Sequence, residues 1–374
     1  MFLLNGVKKI FVGNGKSKHF YMKICHVLWN GGIGGIESMV ISLAISMKDE
    51  HQVRIVFGKK VGLMESVLNQ NEIQYGEIEL KHGADFSLSK HQKCVQLFNI
   101  FDVVHLHVYN PLLLLTSIRS TANVIYSIHS LTHLRRKKTW VDRLNLWIQN
   151  LGLDYVHATT TVSKFAAKEL RTELSKSCAL TIVPNGISIE PVVKVSDSKF
   201  LNIISYGRLT SNKRFELLLQ TVRELVPSHP NLLCRIYGEG PQKNTLKAHI
   251  QEMHLQKYVE IMDFTDNVNH AIEWATVGVF TFHAESFGLS ALETFSRGLP
   301  TFTLQDGGGQ VEFLERSTFP LVADNIEQLA GYIIKYLSLN VSQKEKQQKE
   351  WVELSKEYDV GVISHQYIEL YKAS

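Results

Sequence analysis

Two glutamates in the C-terminal half of the chain lie where a strand-like apolar run gives way to a helix-like pattern. Glu285 precedes the predicted helix, and Glu293 lies about a turn and a half inside it. In an open parallel sheet such a loop lies at the carboxyl end of its strand, where ligands bind. The N–H groups of Phe287, Gly288 and Leu289 would be unpaired at the helix start and suited to a diphosphate. The two carboxylates could then accept hydrogen bonds from a sugar and a ribose, unless they are ordinary solvated helix residues.

A second strand-to-helix connection, residues 206–213, contains Arg208 and Lys213. The guanidinium of Arg208 offers a planar fork for phosphate oxygens, and Lys213 offers a mobile point charge. Together they could neutralise a diphosphate leaving group, although two exposed surface cations would give the same local sequence.

The first predicted strand is followed by a glycine-rich loop at residues 30–35, which includes Gly34 and Gly35. The loop lacks the Gly-x-Gly-x-x-Gly spacing of dinucleotide-binding folds. We therefore expect Gly34 and Gly35 to approach a phosphate or an acceptor closely, or only to form a flexible turn.

Histidines alternate at His105 and His107, and His129 ends another predicted strand. Alternate spacing places His105 and His107 on one face of a strand, which could suggest a metal. Because no carboxylate or cysteine is near them in sequence, buried histidines in the wall of the site are the better interpretation. His129, at the ligand side of its strand, is the candidate for contact with substrate. The chain contains no Asp-x-Asp sequence, so we predict no metal site.

A basic segment precedes an amphipathic pattern with two tryptophans. This pattern could rest on an anionic membrane surface or could be an ordinary surface helix. The residues concerned are Arg135, Arg136, Lys137, Lys138, Trp140 and Trp147.

Strand-like apolar runs alternate with helical patterns along the chain, which favours an α/β fold with parallel sheets covered by helices. The predicted strands are 24–28, 53–57, 103–107, 124–128, 158–162, 180–183, 201–205, 233–237, 259–262, 277–282 and 301–304. The predicted helices include 36–47, 164–174, 215–225, 242–253 and 289–296.

The 374-residue chain is long enough for two domains. We predict an extension or upstream start at 1–21, an N-terminal acceptor domain at 22–190, a linker at 191–199, a donor domain at 200–350 and a C-terminal helix at 351–374. Four scattered cysteines favour a reducing compartment, and no apolar run is long enough to span a bilayer. A net charge of +4 is too small to indicate nucleic acid, and we expect no nucleic-acid partner.

From residue 22 to about residue 360, the chain resembles the retaining glycosyltransferases of family 4. In the N-terminal half, the resemblance is carried by residues 22–24 with the glycine-rich loop after the first predicted strand, by His129 and by Val183-Pro184-Asn185-Gly186. In the C-terminal half it is carried by Gly207-Arg208 with Lys213, Gly238-Glu239-Gly240-Pro241, Glu285 with Glu293, Gly298-Leu299-Pro300 and residues 308–312.

This resemblance implies the GT-B fold, in which two Rossmann-like domains face a central cleft and a C-terminal helix crosses back to the N-terminal domain. It implies that Arg208 and Lys213 hold the donor diphosphate, that Glu285 contacts the transferred sugar and that Glu293 contacts the ribose. Gly238 joins this donor set, and His129 with Gly34 and Gly35 would line the acceptor side. Catalytic roles would fall to Glu285, His129, Arg208 and Lys213, with neither metal nor cofactor.

We therefore expect a retaining glycosyltransferase that uses a UDP-sugar, or alternatively a GDP-sugar, and a glycan or lipid-linked acceptor of bacterial surface polysaccharide synthesis. We expect it in the cytoplasm, peripheral on the inner membrane. The alternatives are a nucleotide-sugar epimerase of the same fold and a basic membrane or nucleic-acid adaptor.

Overall fold

The structure is a computed structural model, and it describes residues 21–373 except 33, 82–84, 86, 109, 132–138, 175–178, 195–199 and 264–267. The chain divides into two compact units. Unit 1 comprises residues 1–187 and 360–374, and unit 2 comprises residues 188–359.

Unit 1 contains a parallel sheet covered by helices. Its strands are β1 Lys23–Leu28, β2 Gln52–Phe57, β3 Gln74–Glu77, β4 Val103–Leu106, β5 Asn123–Ile128, β6 Ala158–Thr161 and β7 Leu180–Ile182. Its helices are α1 Gly35–Met47, α2 Glu65–Gln70, α3 Leu88–Phe98, α4 Pro111–Ser117, α5 Trp140–Leu153, α6 Lys164–Leu170 and α14 Val360–Ala373. Within the described residues the strand order is β3-β2-β1-β4-β5-β6-β7. The central strands are buried on both faces, as helix-covered parallel strands must be.

Unit 2 repeats this architecture. Its strands are β8 Asn202–Tyr206, β9 Leu233–Tyr237, β10 Val259–Met262, β11 Val277–Phe280, β12 Thr301–Leu304 and β13 Val322–Ala323. Its helices are α7 Phe215–Leu225, α8 Lys243–Glu252, α9 Val268–Trp274, α10 Leu289–Ser296, α11 Gly309–Leu314, α12 Ile326–Leu337 and α13 Val341–Ser355. The parallel strands follow the order β10-β9-β8-β11-β12-β13. The strand that precedes Glu285, β11, lies between β8 and β12, so the loops after β8, β11 and β12 emerge side by side.

The last helix returns to the first unit, as predicted. Helix α14 packs on α1, where Ser364 Oγ lies 3.0 Å from Ser46 Oγ. Its buried residues Ile363, Tyr367 and Tyr371 belong to the core of unit 1. The helix begins at Val360, and residues 351–355, which the sequence assigned to it, belong to α13.

The predicted linker begins inside unit 2. The N–H of Val193 donates to the carbonyl of Arg297 at 2.9 Å, and Gln348 Nε2 donates to the carbonyl of Val193 at 2.7 Å. Residues 195–199 of the predicted linker, and residues 1–20 of the predicted extension, lie outside the described residues. Among the helices that are described, none has the length and apolar character needed to cross a bilayer.

Candidate active site

The loops after β8 and β9 contact each other through glycine. The N–H of Leu209 donates to the carbonyl of Glu239 at 2.8 Å, and the N–H of Gly207 donates to that of Tyr237 at 3.0 Å. A Cβ at Gly238, where φ is +150°, would lie 2.0 Å from the carbonyl oxygen of Gly207. Gly238 therefore has a structural reason to be glycine, which is separate from its predicted role in donor binding.

Arg208 is exposed at this loop. Among the described residues, no acceptor or aromatic ring contacts its guanidinium group. Because the guanidinium group of Arg208 has no ion pair to break, it can bind a phosphate without that loss of free energy, which is compatible with the predicted role.

Lys213 and Glu285 form an ion pair in unit 2. Lys213 Nζ lies 2.7 Å from Glu285 Oε2, and the two side chains are only 15% and 24% exposed. The same ammonium group lies 3.8 Å from the centre of the Phe282 ring, close enough for a cation–π interaction. The structure thus brings together two residues that the sequence placed in the donor site, although they are 72 positions apart.

The backbone of Glu285 is held by the glycine loop that follows β12. The N–H of Glu285 donates to the carbonyl of Gly307 at 2.9 Å, and the N–H of Gly309 donates to the carbonyl of Glu285 at 2.8 Å. Gly308 lies between these bonds with φ of +80° and ψ of −136°, a conformation essentially limited to glycine. A Cβ there would lie 2.4 Å from the carbonyl oxygen of Glu285. The loop therefore fixes the backbone from which the predicted sugar-contacting carboxylate projects.

We expect Gly308→Ala to lower the free energy of unfolding of unit 2 by about 3 kcal/mol, because the added methyl group strains the backbone and collides with Glu285. The matched control is Gly331→Ala in α12, where a Cβ meets nothing within 4 Å. Alanine there should stabilise the helix by up to about 1 kcal/mol. Urea unfolding of both variants measures the difference, and equal effects of the two substitutions would contradict the assignment.

Helix α10 begins four residues after Glu285. Gly288, with φ of +95°, is its N-cap, and the helix runs from Leu289 to Ser296. Within the part of the chain that the structure describes, the N–H groups of Phe287, Gly288 and Leu289 donate to no acceptor. These groups form the row of free donors that the sequence led us to expect at this helix start.

Glu293 lies inside α10 and is held by a residue that the sequence analysis did not select. The Tyr206 hydroxyl lies 2.9 Å from Glu293 Oε2, and burial raises the pKa of the Glu293 carboxyl to about 7.

Arg214 was also not selected from the sequence. Its guanidinium binds both carboxylate oxygens of Asp306, at 2.6 and 2.7 Å, and His283 Nδ1 lies 3.1 Å from the same carboxylate. These contacts connect the loops after β8, β11 and β12, and no local sequence motif indicates them.

In unit 1, three buried histidines form a row along the carboxyl ends of the strands. His26 Nδ1 lies 3.0 Å from His107 Nε2, His107 Nδ1 lies 2.9 Å from His129 Nε2, and His129 Nδ1 lies 3.1 Å from Asn185 Oδ1. Because the amide oxygen can only accept, each neutral ring donates from Nδ1, and the rings of His107 and His129 accept at Nε2. The row ends at His26 Nε2, a buried nitrogen without a partner among the described residues.

This row of hydrogen-bonded histidines determines which ring nitrogens of His129 can bind a substrate. Both of its ring nitrogens are engaged within unit 1, so the predicted hydrogen bond to a substrate would have to replace one of them. His129 and His107 line a cavity of about 450 Å³, together with Trp29 and Glu37. Gly35 begins α1 at this cavity, and Gly34 lies directly before it, beneath the carboxylate of Glu37.

His105 lies beside the row but has other partners. Its Nδ1 is 2.5 Å from the Tyr371 hydroxyl, and its Nε2 is 2.6 Å from Ser127 Oγ. One nitrogen each of His26, His105 and His107 fall within 4.8 Å of one another, a spacing that a metal ion could use. Hydrogen bonds already account for every one of these nitrogens except His26 Nε2.

Two family models match the chain, one on each half. The model described as Glycosyltransferase Family 4 matches residues 33–191, and the model described as Glycosyl transferases group 1 matches residues 188–357. Together they cover residues 33–357, which include every residue of the predicted donor and acceptor sites.

Curated relatives match about half of the chain or less. A poly(glycerol-phosphate) alpha-glucosyltransferase of Bacillus subtilis is 27% identical over 151 residues, which are 40% of this chain and 22% of that protein. A poly(ribitol-phosphate) alpha-N-acetylglucosaminyltransferase of Staphylococcus aureus is 23% identical over 51% of this chain and 40% of its own length. An exopolysaccharide phosphotransferase of Streptomyces coelicolor is 26% identical over 49% of this chain and 20% of its own length. The chain thus spans less than two thirds of these relatives.

Solved structures share the fold over nearly the whole chain. HepE of Anabaena, in complex with UDP and glucose, has a TM-score of 0.80 at 17% identity and covers 94% of this chain and 100% of its own. TarM of S. aureus, in complex with fondaparinux, alpha-GlcNAc-glycerol and UDP, has a TM-score of 0.76 at 13% identity, with the same coverage of both chains. These likenesses confirm the predicted two-domain α/β class of the GT-B type.

Proposed function

Because the chain belongs to the glycosyltransferases of family 4 and group 1, we propose that it transfers a sugar from a nucleoside diphosphate sugar to a hydroxyl-bearing acceptor. The observation that carries the proposal is the Lys213–Glu285 pair beside the free N–H groups at the start of α10. A cation, a row of backbone donors and a carboxylate together suit a ligand with a diphosphate at one end and sugar hydroxyls at the other.

In this proposal the protein acts mainly by position and charge. Lys213 and Arg208 neutralise the diphosphate as it leaves, and the N–H groups of α10 donate to its oxygens. Glu285 orients the transferred sugar and Glu293 the ribose, so the acceptor hydroxyl attacks a fixed anomeric carbon. The acceptor oxygen bonds to the anomeric carbon on the face that the diphosphate leaves, and its proton passes to the departing diphosphate, so the anomeric configuration is retained. The two cations supply the positive charge that a metal ion would otherwise provide.

UDP is the favoured nucleotide, and a surface polymer is the favoured acceptor. HepE is known in complex with UDP-glucose, and TarM in complex with UDP, which supports a uridine donor here. The names of two relatives specify poly(glycerol phosphate) and poly(ribitol phosphate), which supports an acceptor from bacterial surface-polymer synthesis, glycan or lipid-linked.

A donor panel tests the proposal. UDP- and GDP-sugars are incubated with the protein, binding is followed by calorimetry, and products are identified by mass and by the NMR coupling of the new anomeric proton. We expect UDP to bind, and Arg208→Ala to weaken binding about tenfold to hundredfold. Arg223→Ala, which removes an exposed arginine of α7, is the matched control. No response to any donor would refute the proposal, and conversion of the donor sugar without an acceptor would indicate an epimerase instead.

We further propose that unit 1 contacts an anionic membrane through α5, at the cytoplasmic face of the inner membrane. Four large apolar side chains are exposed on this helix, at spacings that place them on one face. They are Trp140, 75% exposed, Leu144, 44%, Trp147, 59%, and Leu151, 45%. The basic residues 135–138 directly precede the helix in sequence but lie outside the described residues. A basic segment followed by an aromatic face suits an anionic lipid surface.

Vesicle flotation checks this membrane contact. Trp140→Ser with Trp147→Ser should lower partitioning onto vesicles that contain anionic lipid at least tenfold, because two large apolar groups no longer enter the interface. Leu88→Ser, at an exposed leucine of α3, is the control and should leave partitioning unchanged. Equal binding of the wild type to neutral and anionic vesicles would argue against the proposal.

A further inference from the structure

The hydroxyl of Tyr206 lies among three oxygens of α10. Tyr206 ends β8 and is 7% exposed. Its hydroxyl oxygen is 2.8 Å from the carbonyl oxygen of Ser290, 2.9 Å from Glu293 Oε2 and 3.3 Å from Thr294 Oγ1. Its ring meets the Phe280 ring edge to face at 5.4 Å, which fixes the direction of the hydroxyl. The side chain is therefore built to reach one oxygen of Glu293.

The phenol has only one proton to donate. The carbonyl of Ser290 already accepts from Thr294 Oγ1 at 2.9 Å, so it gains least from a further donor. An ionised carboxylate is the stronger acceptor, and a hydrogen bond to it is roughly twice as strong as one between neutral groups. The proton of Tyr206 therefore goes to Glu293 whenever Glu293 is ionised.

We propose that Tyr206 is a positioning residue for the nucleotide: its hydroxyl holds one oxygen of the Glu293 carboxylate, so that Oε1 and the remaining lone pair of Oε2 face two ribose hydroxyls. This inference rests on the proposed function, in which Glu293 contacts the ribose. An ionised carboxylate accepts from both ribose hydroxyls, whereas a neutral carboxylic acid has fewer and weaker acceptor sites, so the ionised form binds the ribose more strongly.

The surroundings of Glu293 make this support necessary. Burial raises the pKa of its carboxyl, and the hydrogen bond from Tyr206 opposes that rise. The positive charge of Arg297, at the end of the helix, opposes the rise that burial causes in the pKa of Tyr206. The guanidinium of Arg297 is itself bound by Glu273 at 2.9 Å and by the carbonyl of Asn269 at 2.9 Å. Tyr206 is thus the group that donates a hydrogen bond to the Glu293 carboxylate and favours its ionised form.

The test is a calorimetric pH profile of UDP binding to the full chain. In the wild type, affinity should rise as the pH increases through about 7. Tyr206→Phe should weaken UDP binding at pH 7 about tenfold and move the midpoint of the profile up by about one pH unit. The same substitution should weaken the binding of 2′-deoxy-UDP by a smaller factor, because this ligand lacks one of the two hydroxyls from which Glu293 accepts. Tyr336→Phe, another buried tyrosine of unit 2, is the matched control and should leave the profile unchanged.

The outcomes separate this inference from the function on which it rests. If the wild type binds no UDP, the proposed function fails. If the wild type binds UDP with a pH dependence that Glu293→Gln removes, and Tyr206→Phe keeps the wild-type midpoint and affinity, only the role of Tyr206 is overturned. Should Tyr206→Phe fail to fold, site-specific 3-fluorotyrosine at position 206 replaces it. Its more acidic phenol is a stronger donor and should move the midpoint down, whereas an unmoved midpoint would refute the inference.

Discussion

Replacing Lys213 by methionine is expected to lower kcat/KM for sugar transfer about a thousandfold. Methionine keeps much of the apolar stem that lies on Phe282 but removes the ammonium group. In the proposed reaction, negative charge develops on the departing diphosphate, and the loss of one preorganised group that stabilises such charge typically costs a factor of 10²–10³, with a full charge at the upper end. Steady-state transfer to an acceptor measures the effect. Lys335→Met is the matched control, because Lys335 Nζ also lies over a phenyl ring, that of Phe319, at 5.6 Å.

A substitution of Glu285, the ion-pair partner of Lys213, tests the same role of the lysine. Glu285 Oε2 lies 2.7 Å from Lys213 Nζ, so a diphosphate must compete with a carboxylate for this cation. Glu285→Gln should therefore leave UDP affinity unchanged or raise it up to about tenfold, while turnover falls about a hundredfold. If the pair were only structural, the double variant Lys213→Met with Glu285→Gln would regain both stability and turnover. We expect it to regain stability alone.

The sequence predicted well which residues come together at the strand ends of unit 2, for a physical reason. Glu285, the free N–H groups and α10 follow one another within a single strand-loop-helix unit, whose geometry is set locally. The start of α10 at Leu289 was predicted to the residue, since Gly288 supplies the left-handed N-cap conformation. Arg208 and Lys213 share this advantage because they follow the adjacent strand of the same sheet.

Contacts between distant segments were not predictable in the same way. Tyr206 was placed in the connection 206–213 without a role, because its hydrogen bond to Glu293 joins residues 87 positions apart. His26 was overlooked beside the conspicuous pair His105 and His107, although the pairing of β1 with β4 places it directly opposite His105. The sequence could reveal which strand carries a histidine but not which strands become neighbours.

Two of the four edge strands that the structure describes were missed, for a different reason. β3, residues Gln74–Glu77, contains one apolar residue, and β13, residues Val322–Ala323, is only two residues long. The other two edge strands, β7 and β10, were predicted, since apolar residues occupy most of their positions. Neither missed strand positions a residue of the candidate site, so the functional prediction did not depend on them.

Unit 1 is expected to unfold cooperatively between about pH 6.5 and pH 4, and this is the largest stability effect that the structure predicts. Burial lowers the pKa of His26 to about 3 and that of His129 to about 4, and it lowers the pKa values of His105 and His107 well below 6.5. In the unfolded chain all four imidazoles titrate near 6.5. Between these limits the unfolded state binds protons that the folded state excludes, so stability falls as the pH falls.

The size of the effect follows from the number of rings. Each excluded proton contributes about 1.4 kcal/mol per pH unit, so four rings contribute up to about 5 kcal/mol per pH unit. The free energy of unfolding of a typical domain is only about 5–15 kcal/mol in total.

Unit 2 should respond in the opposite direction, because the raised pKa of Glu293 makes its folded state bind a proton between about pH 7 and 4.5. Its stability should rise by up to about 3 kcal/mol over that window as the pH falls.

Hydrogen exchange followed peptide by peptide, during urea unfolding at a series of pH values, measures the two units separately. His26→Asn should reduce the slope for unit 1 by about one proton, because an amide can still meet His107 near the position of Nδ1 but does not titrate. His365→Gln removes an exposed histidine of α14 in the same unit and should leave the slope unchanged. An equal loss of stability in both units on acidification would mean that the buried row does not control the acid response. A loss confined to unit 1, and smaller in His26→Asn, would show that the histidines along its strand ends must stay uncharged for this half of the protein to remain folded.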